Sequence, residues 1–262
     1  MHTAGSPPSA PGAETAPVGA EPLLLTTTRL STFLGQRLLT GATGFFFRRD
    51  GRLFVVTSSH VLRDEGSGHH PDRIEMVLHV DRTNLTRVVN YSVLLYESGQ
   101  PVWRQGEDSA GPVDIAVLEL DAANLPADLA VSAFEPRHLA TASDGVEVGQ
   151  PLRVTGFPLG FYDTVHHLPV VRHAIVASSF GVRFQGLGYF LTDGRMHRGS
   201  SGAPVVMRSP DADGDPIPWR LLGVHSGRMD MHTRDLVQDE SLGLNCAWYA
   251  GILMVQIGRA HV

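Results

Sequence analysis

The stretch from Thr43 to Thr57 constrains the fold more than any other: the runs GFFFRR and RLFVVT flank the dipeptide Asp50-Gly51. Asp-Gly tolerates the positive φ angles of a two-residue turn whose twist matches that of paired strands. A β-hairpin is therefore expected here. From Leu23 onward, short runs rich in Val, Ile, Phe and Thr are broken by Gly, Pro, Asp and Asn, the pattern of an all-β sandwich or barrel. Further strands are expected at Ile74–Val80, Tyr91–Tyr96, Asp114–Leu120, Leu152–Thr155, His173–Ser178, Tyr189–Thr192, Ala203–Met207, Arg220–His225 and Asn245–Leu253. They divide around residues 121–145, where Pro126, Pro136 and polar residues interrupt alternation, as a linker does. Two β-barrels side by side follow, about 23–120 and 146–256.

At 262 residues, 42% hydrophobic and 18% charged, the chain has a globular composition. A formal charge of −6 and the lack of any Lys/Arg cluster argue against a nucleic-acid surface. One cysteine, Cys246, cannot form an internal disulfide. The N-terminus lacks the basic start and apolar run of a signal peptide, and no window approaches the length of a membrane span, so a cytoplasmic location and no membrane partner are expected. Residues 1–22, mostly Ala, Pro, Gly and Ser, cannot offset their ordering entropy and are expected to form a disordered tail. Residues 257–262, from Ile257 to Val262, do not continue the strand pattern. They coincide with one reading frame of a widely used sequencing adapter and are expected to be non-native, with the natural chain continuing beyond them.

Three segments carry chemistry. In Gly199-Ser200-Ser201-Gly202-Ala203-Pro204, flanking glycines permit a tight turn in which two amide N–H groups point at one spot beside an exposed hydroxyl. Taken alone, it reads equally well as a Ser/Gly turn between strands. In Thr57-Ser58-Ser59-His60-Val61, the chain leaves an apolar strand and can present an imidazole at the sheet edge. A serine hydroxyl needs such a base to take its proton. In Asp114-Ile115-Ala116-Val117-Leu118, an acid opens an apolar strand and needs a partner there, for which an imidazole N–H is suited.

Together TSSHV, DIAVL and GSSGAP stand in the order His, Asp, Ser, separated by 114 − 60 = 54 and 201 − 114 = 87 residues. That order resembles the chymotrypsin-like serine proteases. The similarity is greatest to bacterial trypsin-like peptidases of the HtrA and glutamyl-endopeptidase kinds. Thr192-Asp193 stands before the serine segment at the HtrA-like spacing, and Gly156-Phe157-Pro158-Leu159-Gly160 looks like that group's Gly-x-Pro-x-Gly. The match covers roughly residues 40–255. Ser59 replaces a usual alanine, Ser200 an Asp or Asn, and Ala203 a second glycine, so Ala203 demands a backbone that tolerates a Cβ.

The resemblance implies two six-stranded antiparallel β-barrels and an endopeptidase acting on protein or peptide substrates without a cofactor. It implies Ser201 as nucleophile, His60 as general base, Asp114 as the residue orienting the imidazole, and the N–H groups of Gly199 and Ser201 as the oxyanion hole. His225, Ser226 and Gly227, on the segment that would pair with the substrate, and Arg195 near the same pocket, are the expected substrate-binding residues. His225 either contacts a Glu or Gln before the cut bond or is a packed strand histidine; Arg195 either favours acidic side chains or faces solvent. The alternative to an enzyme is a catalytically silent, peptide-binding module of a larger protein.

Other signals carry less. Asp211-Ala212-Asp213-Gly214-Asp215 lacks the distal glutamate of a calcium loop and reads as a polar hairpin insertion. His69-His70 and His166-His167 lack the spaced partners of a zinc site, so no metal is expected. The apolar setting of Cys246 suits an inert thiol.

Overall fold

The computed structural model describes residues 20–141, 144–209, 214–229 and 243–258. Residues 1–19 of the expected tail, residues 211–213 and residues 259–262 lie outside them. The first half of the chain forms β1 (Thr27–Leu34), β2 (Arg37–Arg49), β3 (Arg52–Thr57), α1 (Ser59–Leu62), β4 (Arg73–His79), β5 (Val88–Leu94), the short pair β6 (Tyr96–Glu97) and β7 (Gln100–Pro101), β8 (Trp103–Asp108) and β9 (Gly111–Leu120). The second forms β10 (Pro151–Gly156), β11 (Val170–Val176), β12 (Tyr189–Asp193), β13 (Pro204–Arg208), β14 (Trp219–Arg228), β15 (Leu244–Tyr249) and α2 (Leu253–Gly258).

The β2–β3 hairpin turns at Asp50 (φ 52°) and Gly51 (φ 75°), which sets the pairs Phe47↔Phe54 and Phe45↔Val56. Side chains alternate across a strand, so the three phenylalanines divide between faces. Phe46 packs inside the first unit with Leu30, Ile74, Met76 and Leu118. Phe45 and Phe47 face a cluster shared with the second unit, which includes Phe134, Val206, Leu221 and Val224.

Among the described residues the second unit closes into a six-stranded barrel in the order β10-β11-β12-β15-β14-β13 around Val154, Phe190, Val205 and Leu222. The first unit departs from the expected six-stranded barrel. It is a seven-stranded antiparallel sheet, β5-β4-β1-β2-β3-β9-β8, whose outer strands β5 and β8 are not paired in a ladder. After Leu94 the chain turns off into β6 and β7, and Val102 N–H donates to Leu95 C=O at 3.0 Å across the gap.

Three strands, β1, β7 and β8, carry no strand expectation from sequence; β8 reads WRQGED, too polar to alternate. The strand expected over Asn245–Leu253 stops at Tyr249 and passes through a short turn into α2. The expected linker is tied to both units. Phe134 N–H donates to Phe46 C=O at 3.0 Å and Ala140 N–H to Leu221 C=O at 2.9 Å. No helix among the described residues is long and apolar enough to cross a membrane.

Candidate active site

β3 leaves the sheet at Thr57 and α1 begins two residues later, which puts His60 at the sheet edge. The Ser58 side chain does not cap this helix; it donates to His225 C=O at 3.2 Å. The first turn of a helix has free N–H groups that need acceptors. Here a carboxylate from another strand supplies one, with His60 N–H donating to Asp114 Oδ1 at 2.9 Å.

Asp114 reaches that position because β9 bulges. Gln105 pairs with Ala116 and Gly106 with Val113, so β9 advances three residues while β8 advances one, and Asp114 and Ile115 lie in the excess. A bulge leaves backbone groups unpaired and re-aims side chains. Two glutamine amides satisfy those groups: Gln105 Nε2 donates to Val113 C=O at 3.2 Å and Gln256 Nε2, from α2, to Ile115 C=O at 3.0 Å. Gly106 makes room, since a Cβ there would stand 2.7 Å from Gln256 Nε2.

The Asp114 carboxylate accepts four hydrogen bonds. Oδ1 takes His60 N–H and Ser59 Oγ–H, the latter at 2.7 Å; Oδ2 takes His60 Nδ1–H at 2.8 Å and Ser226 Oγ–H. Burial pushes its pKa up, but the His60 bond and charge, then the Ser226 and Ser59 hydroxyls, outweigh burial and hold it below the ordinary range. For His60, burial works against the charged form, yet the hydrogen bond and charge of Asp114, with a smaller pull from Asp64, raise its pKa.

Ser201 lies in the turn between β12 and β13. Gly199 (φ 90°) and Gly202 (φ 85°) take the left-handed conformations the turn needs. A Cβ on Gly199 would meet Phe157 C=O at 2.5 Å, and one on Gly202 would collide with Thr43 C=O and Thr57 Oγ1. Ala203 has no positive φ and is fully buried, so its Cβ is accommodated. Ser200 N–H donates to His197 C=O at 3.1 Å and Gly202 N–H to His225 C=O at 2.8 Å, whereas the N–H groups of Gly199 and Ser201 carry no hydrogen bond among the described residues. Thr43, on β2, locks this turn to the first unit. Its N–H donates to Ser201 C=O at 3.0 Å, its hydroxyl donates to Gly199 C=O at 2.7 Å, and that oxygen accepts Phe157 N–H at 3.1 Å.

His60, Gly199 and Ser201 line one cleft of about 280 Å³, together with Thr40, Asp64 and Arg198. The Ser201 hydroxyl donates to Ser226 C=O at 2.9 Å. The expected substrate-binding residues are dispersed. Ser226 turns its hydroxyl to Asp114, and Gly227 sits on β14 with open space beside it. Arg195 is exposed and lines a separate hollow of about 370 Å³ with Asp193, His197 and Asn245. His225 is 2% exposed, and its Nδ1 has no hydrogen-bond partner among the described residues. Burial, then the His60 charge, lowers its pKa to about 4 against a weaker opposite pull from Asp114, so the ring is neutral at pH 7.

Among the described residues no three His, Cys, Asp or Glu side chains converge as metal ligands. His70 faces Glu65 at 3.5 Å, and His166 faces Asp163 at 2.8 Å. The Cys246 thiol is pushed up to about 11, first by burial and then by Asp114, which keeps it protonated and unreactive at pH 7. Sequence reasoning missed Ser59 and Gln105 beside Asp114, the side-chain role of Ser226, and the lock formed by Thr43. Ser59 was signalled only by adjacency to His60, and Gln105 by nothing in its polar strand.

A family model described as a trypsin-like peptidase domain matches residues 42–212, more than half of the chain. No curated protein matches. Among solved structures, the HtrA-type protease AlgW with a tripeptide is similar with a TM-score of 0.52 at 18% identity, covering 90% of this chain and 60% of that one. A serine endoprotease from Yersinia pestis is similar with a TM-score of 0.51 at 16% identity, covering 90% of this chain and 62% of that one. The chain thus spans about three fifths of the length of these two proteins.

Proposed function

From the premise that the chain belongs to the trypsin-like peptidase family, we propose that it is a serine endopeptidase, with Ser201 as nucleophile, His60 as general base and Asp114 as the orienting carboxylate. The observation that carries this reading is the shared cleft. There an imidazole whose Nδ1–H is held by Asp114 stands with a serine next to two unengaged amide N–H groups. The hydroxyl leaves Ser226 C=O, turns to His60 Nε2 and gives up its proton as Oγ attacks the substrate carbonyl. The N–H groups of Gly199 and Ser201 receive the developing oxyanion; one such donor typically contributes about 10²–10³ in rate. His60 then protonates the leaving amine, and water repeats the sequence on the acyl-enzyme. No cofactor enters this scheme.

For specificity, the neutral His225 is read as donating one N–H to the side-chain oxygen of a Glu or Gln before the cut bond, which requires the ring, 2% exposed here, to be uncovered toward the cleft. The silent peptide-binding module is favoured by one observation only, the Ser201 hydroxyl bonded to a carbonyl in place of an imidazole.

A fluorophosphonate probe separates the two. The expected outcome is labelling of Ser201 in the wild-type protein, lost in Ser201→Ala and reduced by about a thousandfold or more in rate in His60→Ala. An unlabelled wild-type protein would establish the module instead. A peptide-library digest of the same sample is expected to cut after Glu or Gln, and cuts only after Lys, Arg or large apolar residues would remove the His225 assignment.

A further inference from the structure

Asp114 accepts Ser59 Oγ–H at 2.7 Å, an interaction none of the three sequence motifs assigns. Ser59 is 6% exposed, so its hydroxyl has little water to bond instead. The direction of its proton is set by its other neighbour. Gln105 Nε2 can only donate, and it does so to Ser59 Oγ at 3.1 Å as well as to Val113 C=O at 3.2 Å. Ser59 Oγ therefore accepts from Gln105 and has its own proton for the carboxylate. The result is an ordered path from Val113 C=O through the Gln105 amide and the Ser59 hydroxyl to Asp114 Oδ1, across β8, α1 and β9.

We propose that Ser59, itself held by Gln105, is a positioning residue for the reaction: its hydroxyl pins Oδ1 so that the carboxylate keeps Oδ2 turned to His60 Nδ1. This inference rests on the reading of Ser201, His60 and Asp114 given above. Two oxygens held from two sides fix the plane of a carboxylate, and a plane fixed in advance need not be reorganised when the imidazole takes the serine proton. The hydroxyl also has an electrostatic effect. Its positive end faces Asp114 and offsets part of the negative charge that His60 feels, so the base stays weaker than a bare Asp114 would make it. The other titratable groups acting on His60 are Asp64, in the loop after α1, and His225 on β14, and both remain in the variants below.

The test compares wild-type protein with Ser59→Ala, Ser59→Thr and Gln105→Ala. It reads the pH profiles of kcat and KM on a peptide substrate and the titration of the His60 ring by NMR without substrate. Ser59→Ala is expected to lower kcat by about three- to tenfold with KM within about twofold, because the bond is present before and during the chemical step and only its strengthening in the transition state reaches kcat. The acid limb and the His60 ring titration both move to higher pH. Ser59→Thr, which keeps the hydroxyl, is expected to restore both, and Gln105→Ala to move them in the same direction by less. Should Ser59→Ala not fold, Gln105→Ala carries the test. A folded Ser59→Ala or Gln105→Ala protein with the wild-type His60 titration and kcat overturns the proposal. If neither the wild-type protein nor any variant cleaves while the ring titration shifts as described, the peptidase reading fails, and with it the role in the reaction, although the hold of Ser59 on Asp114 stands.

Discussion

His60 and His225 both feel Asp114 and each other, and burial separates their behaviour. His60 keeps 41% of its side chain exposed and gains a direct bond to the carboxylate, so folding raises its pKa. The stability it contributes is complete below the unfolded value of 6.5 and is lost as pH rises through the folded value. Its neutral form, the one that can act as a base, is thus the form that stabilises the fold less. His225 has the opposite sign. With a folded pKa of about 4 against 6.5 unfolded, it leaves the fold at full stability above pH 6.5 and weakens it as pH falls toward 4. That interval corresponds to roughly 3 kcal/mol at most. Chemical denaturation at pH 7 and pH 4.5 is expected to show a smaller pH difference in His225→Gln than in the wild-type protein. Equal differences would mean that other groups drive acid destabilisation. That His60 and Asp114 would meet was an expectation from TSSHV and DIAVL, and they lie 2.8 Å apart; the other partners of Asp114 were not legible. Ser226 stands 112 residues and Ser59 55 residues from Asp114, and no local pattern links them.

At the scale of elements, the β2–β3 hairpin and the β9 bulge show what local sequence encodes. The hairpin was readable because Asp50-Gly51 and the alternation around it sit within fifteen residues. The bulge was not, because one of its two supporting amides comes from α2, whose Gln256 reaches Ile115 C=O across 141 residues of chain. Gln256 is 4% exposed, and Gly106 opposite it lacks the side chain that would collide. Gln256→Leu keeps the bulk but leaves the Ile115 carbonyl buried without a donor. The expected loss is about 1–3 kcal/mol by thermal denaturation, with a fall in peptidase kcat as Asp114 loosens. An unchanged melting temperature would show that water or another donor reaches the carbonyl. The strand expected to continue to Leu253 ends at Tyr249 for the same reason, since the segment beyond it folds back as a plug for the first sheet.

At the scale of the whole molecule, the two units are joined by more than the linker. Phe134, fully buried in that connection, packs edge-to-face on Phe45 with centroids 5.8 Å apart and belongs to a cluster that draws on β2, β9, β13, β14 and α2. Phe134→Ala is expected to destabilise by about 3–5 kcal/mol, as large truncations in a packed core do. Because the cluster is shared, calorimetry is expected to show one transition moving to lower temperature. One transition shifting while a second stays put would show that the units unfold independently. By itself the sequence determined the all-β class, the hairpin and the residue types of the three motifs, because turn chemistry and alternation act over a few residues. Tertiary structure alone decided that the first unit is a seven-stranded sheet with unpaired outer strands, that Asp114 stands in a bulge with four donors, and that the Ser201 hydroxyl rests on Ser226 C=O. Each of those depends on hydrogen bonds between segments far apart in the chain, and such pairings are set only once both units have packed.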